Sequence, residues 1–184
     1  PKLEFVLRDC IGRHWQCGTV QLDFNLPERL GAEFVGEDDN RHPPVLIHRA
    51  LLGSLERFTG ILIEHFAGHF PLWLAPVQLV ITGISQKQDA QVKALKARFL
   101  EAGFRVDIDL RNEKVNLKVR EHSLRKVPLI GVIGDREVEN DTISIRRFGS
   151  QGSRVLSVDE LIEQMTTEVK TRALPPGFKA NAED

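Results

Sequence analysis

A β-branched apolar run followed at once by a capped helix pattern constrains the fold more than any other feature of the chain. The run VQLVITGI at 77–84 is typical of a buried strand. Ser85 and Gln88 have the spacing of a capping box, and Gly103 is placed to end the helix. Apolar side chains recur between them at helical spacing, at Val92, Leu95, Phe99 and Ala102. The pattern predicts a β-α unit.

The alternation of strand and helix patterns continues along the chain. FRVDIDL at 104–110 alternates as a strand, NLKVREHSLRKV at 116–127 predicts a basic helix, and PLIGVIG at 128–134 predicts a second buried strand. TISIRRF, from Thr142, is expected to form an edge strand, and a last helix begins at Ser157. Its buried face is expected to consist of Leu161, Ile162, Met165 and Val169. These elements predict an α/β domain with a mixed sheet.

The beginning of the chain carries a different pattern. LEFVLRD and HWQCGTVQLDF alternate on either side of Gly12, which predicts an antiparallel hairpin. A polar loop at 36–44 leads into an apolar stretch with helical spacing over 44–66. We therefore predict two domains, at 1–76 and 77–184. The fold class is α/β, with an antiparallel α+β segment followed by an α/β domain with a mixed sheet.

Composition excludes several classes of protein. Cys10 and Cys17 are the only cysteines and form no C-x-x-C pair, which favours a reducing compartment over a disulfide scaffold. The most apolar run, 60–84, contains Glu64, two histidines and two prolines and is too polar for a membrane span. We expect a cytoplasmic protein without membrane association. Because the only methionine is Met165 and the chain opens on Pro1, we also expect a piece of a longer polypeptide.

Charge differs between the two predicted domains. Residues 1–76 contain 7 Lys and Arg against 10 Asp and Glu, whereas residues 77–184 contain 18 against 16. The basic excess is local, because residues 105–126 contain seven basic and four acidic side chains. This distribution is compatible with binding of a polyanion such as RNA. A solvated surface with no ligand is the more common explanation of such a cluster.

Arg57 is an unusual residue for an apolar helix. Gly53, Arg57 and Gly60 fall at i, i+4 and i+7, beside a predicted core stripe, and Ser54 lies one turn before the arginine. Flanking glycines leave the guanidinium open to a stacked ring or an anion. The alternative is close helix packing, with Arg57 paired to a carboxylate. The predicted core stripe consists of Leu51, Leu55, Phe58, Leu62 and Phe66.

Polar side chains in the predicted hairpin point to a second candidate site. Gln16, Thr19 and Gln21 lie on a strand that otherwise has a buried pattern, and Gly18 allows a close approach to the backbone. Buried amides need partners, which a second polar strand or a small polar ligand supplies. His48 cannot hold a metal alone, because a catalytic zinc takes three protein ligands. A surface or capping role is the more common one for a lone histidine.

Long segments of the chain resemble the C-terminal portion of bacterial threonyl-tRNA synthetases, a family of class II aminoacyl-tRNA synthetases. The first two are WQCGTVQLDFNLPERL and VLIHRALLGSLERFTGILIEHFAGHFPLWLAPVQ, and the third is DLRNEKVNLKVREHSLRKVPLIGVIGDREVE. GSLERF is similar to motif 3 of class II enzymes. HRALLGS and REH-x-LR-x-VP are the features that separate this family from prolyl and histidyl relatives. The resemblance implies that 1–76 is the end of the catalytic core and 77–184 an anticodon-binding domain.

The resemblance also implies a role for each candidate residue. Arg57 would stack on adenine and contact the ATP phosphates, with Gln16 and Ser54 near the nucleotide. His48 would be one of three ligands of a Zn²⁺ ion that binds the threonine amino and hydroxyl groups, and ATP would enter with Mg²⁺. The threonine pocket would be lined by Thr19, Gln21 and Ala50. The anticodon-binding residues would be Asn112, Arg120, Lys126, Glu137 and Arg146, where Lys126 replaces an arginine found in some members.

The implied activity is that of a threonine-tRNA ligase, which acts on L-threonine, ATP and tRNA(Thr) and forms a homodimer when complete. Motifs 1 and 2, two zinc ligands and any editing region are absent from these 184 residues, so the segment alone is expected to be inactive. A stand-alone tRNA anticodon-binding module, in which only 77–184 is functional, is the main alternative. A generic α/β ligand-binding protein is a third.

Overall fold

The computed structural model describes residues 1–9 and 11–178. Contacts within the chain group Pro1–His65 into unit 1 and the residues from Phe66 onward into unit 2. The domain boundary predicted after residue 76 refers to the domains of the family and not to contacts within this chain. It therefore stays a prediction. Cys17 is buried with a free thiol. Cys10 lies outside the described residues.

Unit 1 is built on an antiparallel sheet with the strand order β1-β2-β5. Its elements are β1 (Lys2–Arg8), β2 (His14–Asp23), α1 (Leu26–Arg29), β3 (Phe34–Val35), β4 (Arg41–His42), β5 (Leu46–Ala50) and α2 (Leu55–His65). β1 and β2 form the predicted hairpin, in which Gly12 adopts a left-handed φ of +84°. β3 and β4 form a small separate hairpin, in which β4 lies within the predicted loop and β3 directly precedes it.

The helix predicted over 44–66 is correct only in its second half. Leu46–Ala50 forms β5, which pairs with β2, and α2 begins only at Leu55. The predicted core stripe is also wrong at its start, since Leu51 and Leu55 are 64% and 67% exposed. The helical spacing of apolar residues gave a wrong prediction for β5. Its pairing with a strand more than twenty residues away leaves no signal in the local sequence.

Unit 2 contains a mixed sheet with the strand order β10-β9-β8-β6-β7. Its elements are β6 (Leu79–Gly83), α3 (Asp89–Glu101), β7 (Val106–Asp109), α4 (Val115–Leu124), β8 (Leu129–Ile133), α5 (Asp135–Glu139), β9 (Thr142–Arg147), β10 (Arg154–Ser157) and α6 (Val158–Thr171). A short 3₁₀ turn, Gln86–Gln88, precedes α3, and both bonds of its predicted capping box are present. The α/β class with a mixed sheet is thereby confirmed.

The edge of this sheet differs from the prediction. β9 was expected at an edge, but it lies between β8 and β10, and β10 is the edge strand. RVLS at Arg154–Ser157 was missed because four residues behind a glycine-containing turn carry little periodicity. The α6 N-cap is as predicted, since Ser157 Oγ accepts the backbone N–H of Glu160.

The hydrophobic core of the described residues lies in unit 2. α3 and α6 cover one face of the sheet, and their buried side chains pack against those of β6, β8 and β9. α4 packs on β6 and β8 through Lys118, whose Nζ donates to Thr82 Oγ1 at 3.2 Å. Thr82 and the core residue Ile81 are neighbours on β6 and face opposite sides of the sheet. The sheet is therefore covered by helices on both faces.

Among residues 1–9 and 11–178, no helix combines the length and the apolar character that crossing a bilayer requires.

Candidate functional site

Two strands of unit 1 carry the residues that the resemblance assigns to threonine and zinc. In the antiparallel pair β2·β5, Thr19 lies opposite Ala50 and Gln21 lies opposite His48. Directly opposed residues share a face of the sheet, as do residues two apart on one strand. The four side chains therefore lie on one face, where they are exposed or half-buried. The structure brings these predicted residues together, while their roles stay predictions.

Asp23 extends the same face by one step beyond Gln21 and contacts the histidine. Its Oδ2 lies 3.1 Å from His48 Nε2, and its Oδ1 accepts the backbone N–H groups of Asn25 and Leu26. Hydrogen bonds from Leu26 and Asn25, together with His48, lower the pKa of Asp23, so the carboxylate is ionised near neutral pH. Sequence reasoning did not select Asp23, although its spacing from Gln21 on the strand was a usable signal.

The contacts of His48 are those expected of a zinc ligand, but His48 alone cannot form a zinc site. A metal-binding imidazole usually donates its second ring N–H to a carboxylate, and the contact with Asp23 provides such a partner. Within the described residues, however, no group of three His, Cys, Asp or Glu side chains could hold a metal ion. The described residues thus do not by themselves complete a zinc site with three protein ligands.

Arg57 lies at the start of α2 and is held by two other residues of the predicted ATP site. Its backbone N–H donates to Ser54 Oγ at 3.3 Å, and its Nη2 donates to the Gln16 carbonyl oxygen at 3.0 Å. Ser54 Oγ in turn donates to Glu56 Oε2 at 2.7 Å, which lowers the pKa of that carboxyl. The three predicted residues therefore form one cluster, in which the arginine is exposed.

The glycines near Arg57 have different roles. Gly53 lies in the turn before α2 with a φ of +67°, and a Cβ there would come 2.9 Å from Arg57 Nη2. Gly60 lies inside α2, and a Cβ there would meet no atom within 4 Å. The alternative of close packing at the helix glycine is not supported, whereas Gly53 leaves room for the guanidinium.

A pair of alanine substitutions separates these two roles. Gly53→Ala is expected to destabilise the start of α2 by about 1–2 kcal/mol, because alanine is strained at positive φ and displaces Arg57. Gly60→Ala is expected to stabilise α2 by about 0.5–1 kcal/mol, since it removes a helix-interior glycine. Amide hydrogen exchange of residues 55–65 measures both effects. Equal protection in the two variants would contradict the assigned role of Gly53.

In unit 2, two of the predicted anticodon residues follow the carboxyl ends of parallel strands. β7 and β8 both run parallel to β6, so their carboxyl ends share one edge of the sheet. Asn112 lies in the exposed loop after β7, and Glu137 lies in α5 after β8. Glu137 Oε2 accepts the backbone N–H of Gly134 at 2.9 Å. Its carboxylate is thereby already held at the start of α5.

Arg120 and Arg146 are exposed on the side of the sheet that α4 covers. Thr82, Val132 and Ser144 are successive partners across β6, β8 and β9, so they share the face against which α4 packs. Arg146 is two residues after Ser144 on β9 and has the same orientation, while Arg120 lies on α4 itself. The structure thus places both arginines on one side of unit 2.

Lys126 differs from the other predicted anticodon residues. It follows the end of α4 with a φ of +57°, and its Nζ donates to the carbonyl oxygen of Ala67. The side chain also lies within 3.4 Å of the position that a Cβ on Gly68 would take. The ammonium therefore already has a partner within the chain, and its contact with an anticodon stays a prediction.

Comparison with protein families divides the chain into two matches. Residues 1–66 match the tRNA synthetase class II core domain of the G, H, P, S and T enzymes. Residues 78–168 match the anticodon binding domain. The first match ends at the limit between units 1 and 2, and the second begins after residues 67–77, which neither match includes.

Curated relatives are threonine-tRNA ligases. The ligase of Rhodopseudomonas palustris is 56% identical over 179 residues, which is 97% of this chain and 27% of that protein. The ligase of Phenylobacterium zucineum is 53% identical over 184 residues, with 100% and 27% coverage. This chain therefore spans about a quarter of the length of these relatives.

A solved structure described as the RNA binding domain of threonyl-tRNA synthetase from Cryptosporidium parvum has the same fold. The TM-score is 0.83 at 32% identity, with coverage of 100% of this chain and 44% of that chain. A prolyl-tRNA synthetase from the same organism matches at a TM-score of 0.65 and 23% identity, which shows a shared fold only.

Proposed function

We propose that this chain, which belongs to the threonyl-tRNA synthetase family, forms part of a threonine-tRNA ligase. It consists of a class II core fragment joined to an anticodon-binding domain. The proposed ligase activates L-threonine with ATP to threonyl-adenylate and transfers threonine to tRNA(Thr). The observation that carries this proposal is 56% identity to one such ligase over 97% of the chain.

A chimeric enzyme tests the proposal. The 179 aligned residues of this chain replace the corresponding segment of the Rhodopseudomonas palustris ligase, which supplies the remaining length. We expect the chimera to catalyse threonine-dependent ATP-pyrophosphate exchange and to charge tRNA(Thr). A folded chimera that forms no threonyl-adenylate would contradict the proposed function.

Within such an enzyme, unit 1 supplies one side of the nucleotide and amino-acid sites. We propose that Arg57 stacks on the adenine and pairs with ATP phosphates, whose charge Mg²⁺ also neutralises, with Gln16 and Ser54 beside it. The guanidinium is exposed and its Nη2 donates to the Gln16 carbonyl oxygen, which supports this role. Thr19, Gln21 and Ala50 are proposed to line the threonine pocket, and their common face supports the assignment.

His48 is proposed to be one of the zinc ligands, the others coming from sequence outside these residues. Zinc at this position would coordinate the amino and hydroxyl groups of threonine, and valine, which lacks the hydroxyl, would leave a coordination position unfilled. The contact between His48 and the Asp23 carboxylate supports the assignment, because it fixes the orientation of the imidazole ring. A homodimer in the cytoplasm is carried over from the family resemblance.

Unit 2 is proposed to read the anticodon of tRNA(Thr) through Asn112, Arg120, Glu137 and Arg146, with Lys126 as a further candidate. Splayed single-stranded bases are read by hydrogen bonds on their edges and by stacking on arginine. Exposure of Asn112, Arg120 and Arg146 supports these roles, since nothing within the described chain covers them.

Substitution of a reading residue should weaken binding and discrimination together. Asn112→Ala and Arg120→Ala are each expected to cost about 1–3 kcal/mol in tRNA(Thr) binding and to reduce the preference over a tRNA with a changed anticodon. Lys93→Ala on α3, exposed and outside the basic cluster, serves as the control. Titrations with both tRNAs at two salt concentrations measure the effects. If both variants lose stability without losing preference, the side chains have only structural roles.

The alternative function is a stand-alone anticodon-binding module. The hydrophobic core of the described residues lies in unit 2, which favours independent folding of that unit. In this case the chimera would bind tRNA(Thr) with anticodon preference but would not exchange pyrophosphate.

A further inference from the structure

A compact charged cluster lies at the carboxyl end of β7 and includes none of the proposed anticodon-reading residues. It consists of Asp109, Arg111, Glu121 and His122, which we call the Asp109 cluster. Arg111 binds the Asp109 carboxylate with both ends of its guanidinium: Nε donates to Oδ1 at 3.0 Å and Nη2 donates to Oδ2 at 2.7 Å. The same Nη2 donates to Glu121 Oε2 at 2.7 Å. One guanidinium therefore joins the end of a strand to helix α4.

The inner end of the cluster is firmly fixed. The side chains of Asp109 and His122 are only 4% and 8% exposed, and His122 Nε2 lies 2.9 Å from Asp109 Oδ2. The Asp109 carbonyl accepts Thr82 Oγ1 at 2.8 Å and Lys118 Nζ at 3.3 Å. The bonds from Arg111 keep the pKa of Asp109 well below its usual range, so the buried carboxylate stays charged. Arg111 is thus bound to a carboxylate, that of Asp109, which is held in place by contacts with the sheet and with α4.

The outer end of the cluster lies beside two proposed reading residues. Arg111 directly precedes Asn112 in the loop, and Glu121 directly follows Arg120 on α4. In the described part of the chain, the Asn112 side chain makes no hydrogen bond, and the residue is exposed. The loop is therefore connected to α4 through Arg111 while Asn112 remains available to a ligand.

We propose that Arg111 is a positioning residue for anticodon reading: by joining Asp109 to Glu121, it fixes the loop that carries Asn112 relative to the helix that carries Arg120. This inference rests on the proposed function. A planar, bidentate guanidinium suits the role because it constrains orientation as well as distance, which a lysine does not. If both residues are fixed before binding, the loop loses less conformational entropy when it binds the anticodon than a flexible loop would.

The test compares two arginines that each bridge two carboxylates. Arg111→Met removes the bridge in the Asp109 cluster and retains a long apolar stem. Arg98→Met is the matched control, because Arg98 on α3 bridges Asp141 and Asp159 in the same unit. Each variant of the full 184-residue chain is titrated with tRNA(Thr) and with a tRNA carrying a changed anticodon, at two salt concentrations. Amide hydrogen exchange of residues 110–114 is measured without RNA.

For Arg111→Met we expect discrimination between the tRNAs to fall about 3- to 30-fold, with little change when Asn112 is already alanine, because the two residues act together. Exchange in 110–114 should accelerate, Arg111→Lys should restore at most part of the discrimination, and Arg98→Met should leave it unchanged. The salt dependence of binding should stay the same, since no phosphate contact is lost.

Three other outcomes would overturn the inference and differ in what they imply. Unchanged discrimination in Arg111→Met would remove the positioning role and leave the proposed function intact. An equal loss for both tRNAs with a weaker salt dependence would make Arg111 a direct phosphate contact. Absence of discrimination in the unsubstituted chain would remove the proposed anticodon reading by unit 2, and the inference with it.

Discussion

Replacing Arg57 by alanine is expected to lower ATP-pyrophosphate exchange by the chimeric ligase by about 30- to 1000-fold, or about 2–4 kcal/mol in the transition state. The lost contacts are proposed to be to ATP, so affinity for tRNA(Thr) should change little. Among the described residues, Arg57 Nη2 has only a neutral carbonyl acceptor, and removal of the arginine leaves none of their carboxylates unpaired. The loss should therefore reflect catalysis rather than stability.

Arg41→Ala is a suitable control for that experiment. Arg41 is also an exposed arginine of unit 1, but it lies on β4, pairs with Glu33 at the surface and is not one of the proposed nucleotide contacts. Its removal should leave the exchange rate within a factor of about 2, as surface ion pairs contribute little. Normal exchange in Arg57→Ala would refute the proposed contact with ATP.

The second large effect is expected from His48→Ala in the same chimera. Loss of one of the protein ligands should reduce both bound zinc and threonine activation, each by about 10-fold or more. Zinc content is measured by metal analysis of the purified protein, independently of activity. Full zinc occupancy with unchanged threonine affinity would leave His48 as a structural residue of β5.

His42→Ala provides an unusually close control. His42 and His48 are comparably exposed, at 45% and 49%, and each ring lies about 3 Å from an aspartate oxygen. His42 belongs to the β3–β4 hairpin and lies outside the polar face of β2 and β5. Its substitution should preserve both zinc and activity. A similar loss in both variants would show that the effect comes from general destabilisation.

The β-α succession in unit 2 was predictable because its signals are local. Each helix boundary here is indicated by residues close to it in sequence: the capping box at Ser85, the helix-ending Gly103 and the N-cap at Ser157. The short helix Asp135–Glu139 was not predicted, since five residues carry too little periodicity. Likewise, α4 has a polar buried side formed by Lys118 and His122, which hydrophobic spacing cannot reveal.

The candidate residues of unit 1 were selected mainly by sequence pattern and those of unit 2 by resemblance, while their arrangement required the structure. No local pattern indicates that Gln21 lies opposite His48, because the pairing of β2 and β5 is set by tertiary contacts. The contacts of Asp23 and Arg111 also required the structure, because each contacts a residue at least ten positions away, His48 and Glu121 respectively. Both residues contribute to the charge counts of the sequence, but such counts do not show which residues they contact.

The location of the core in unit 2 has a consequence for the thermodynamics of unfolding. Among the described residues of unit 1, only Cys17, Gly18 and Pro27 are buried. A cooperative transition requires apolar surface that becomes exposed together, and unit 2 holds nearly all of it. The heat-capacity change of this chain should therefore correspond to about 110 residues, or about 1.5 kcal/mol/K, rather than to its full length. We therefore expect a single melting temperature to describe unit 2, and unit 1 to lose its structure gradually on heating.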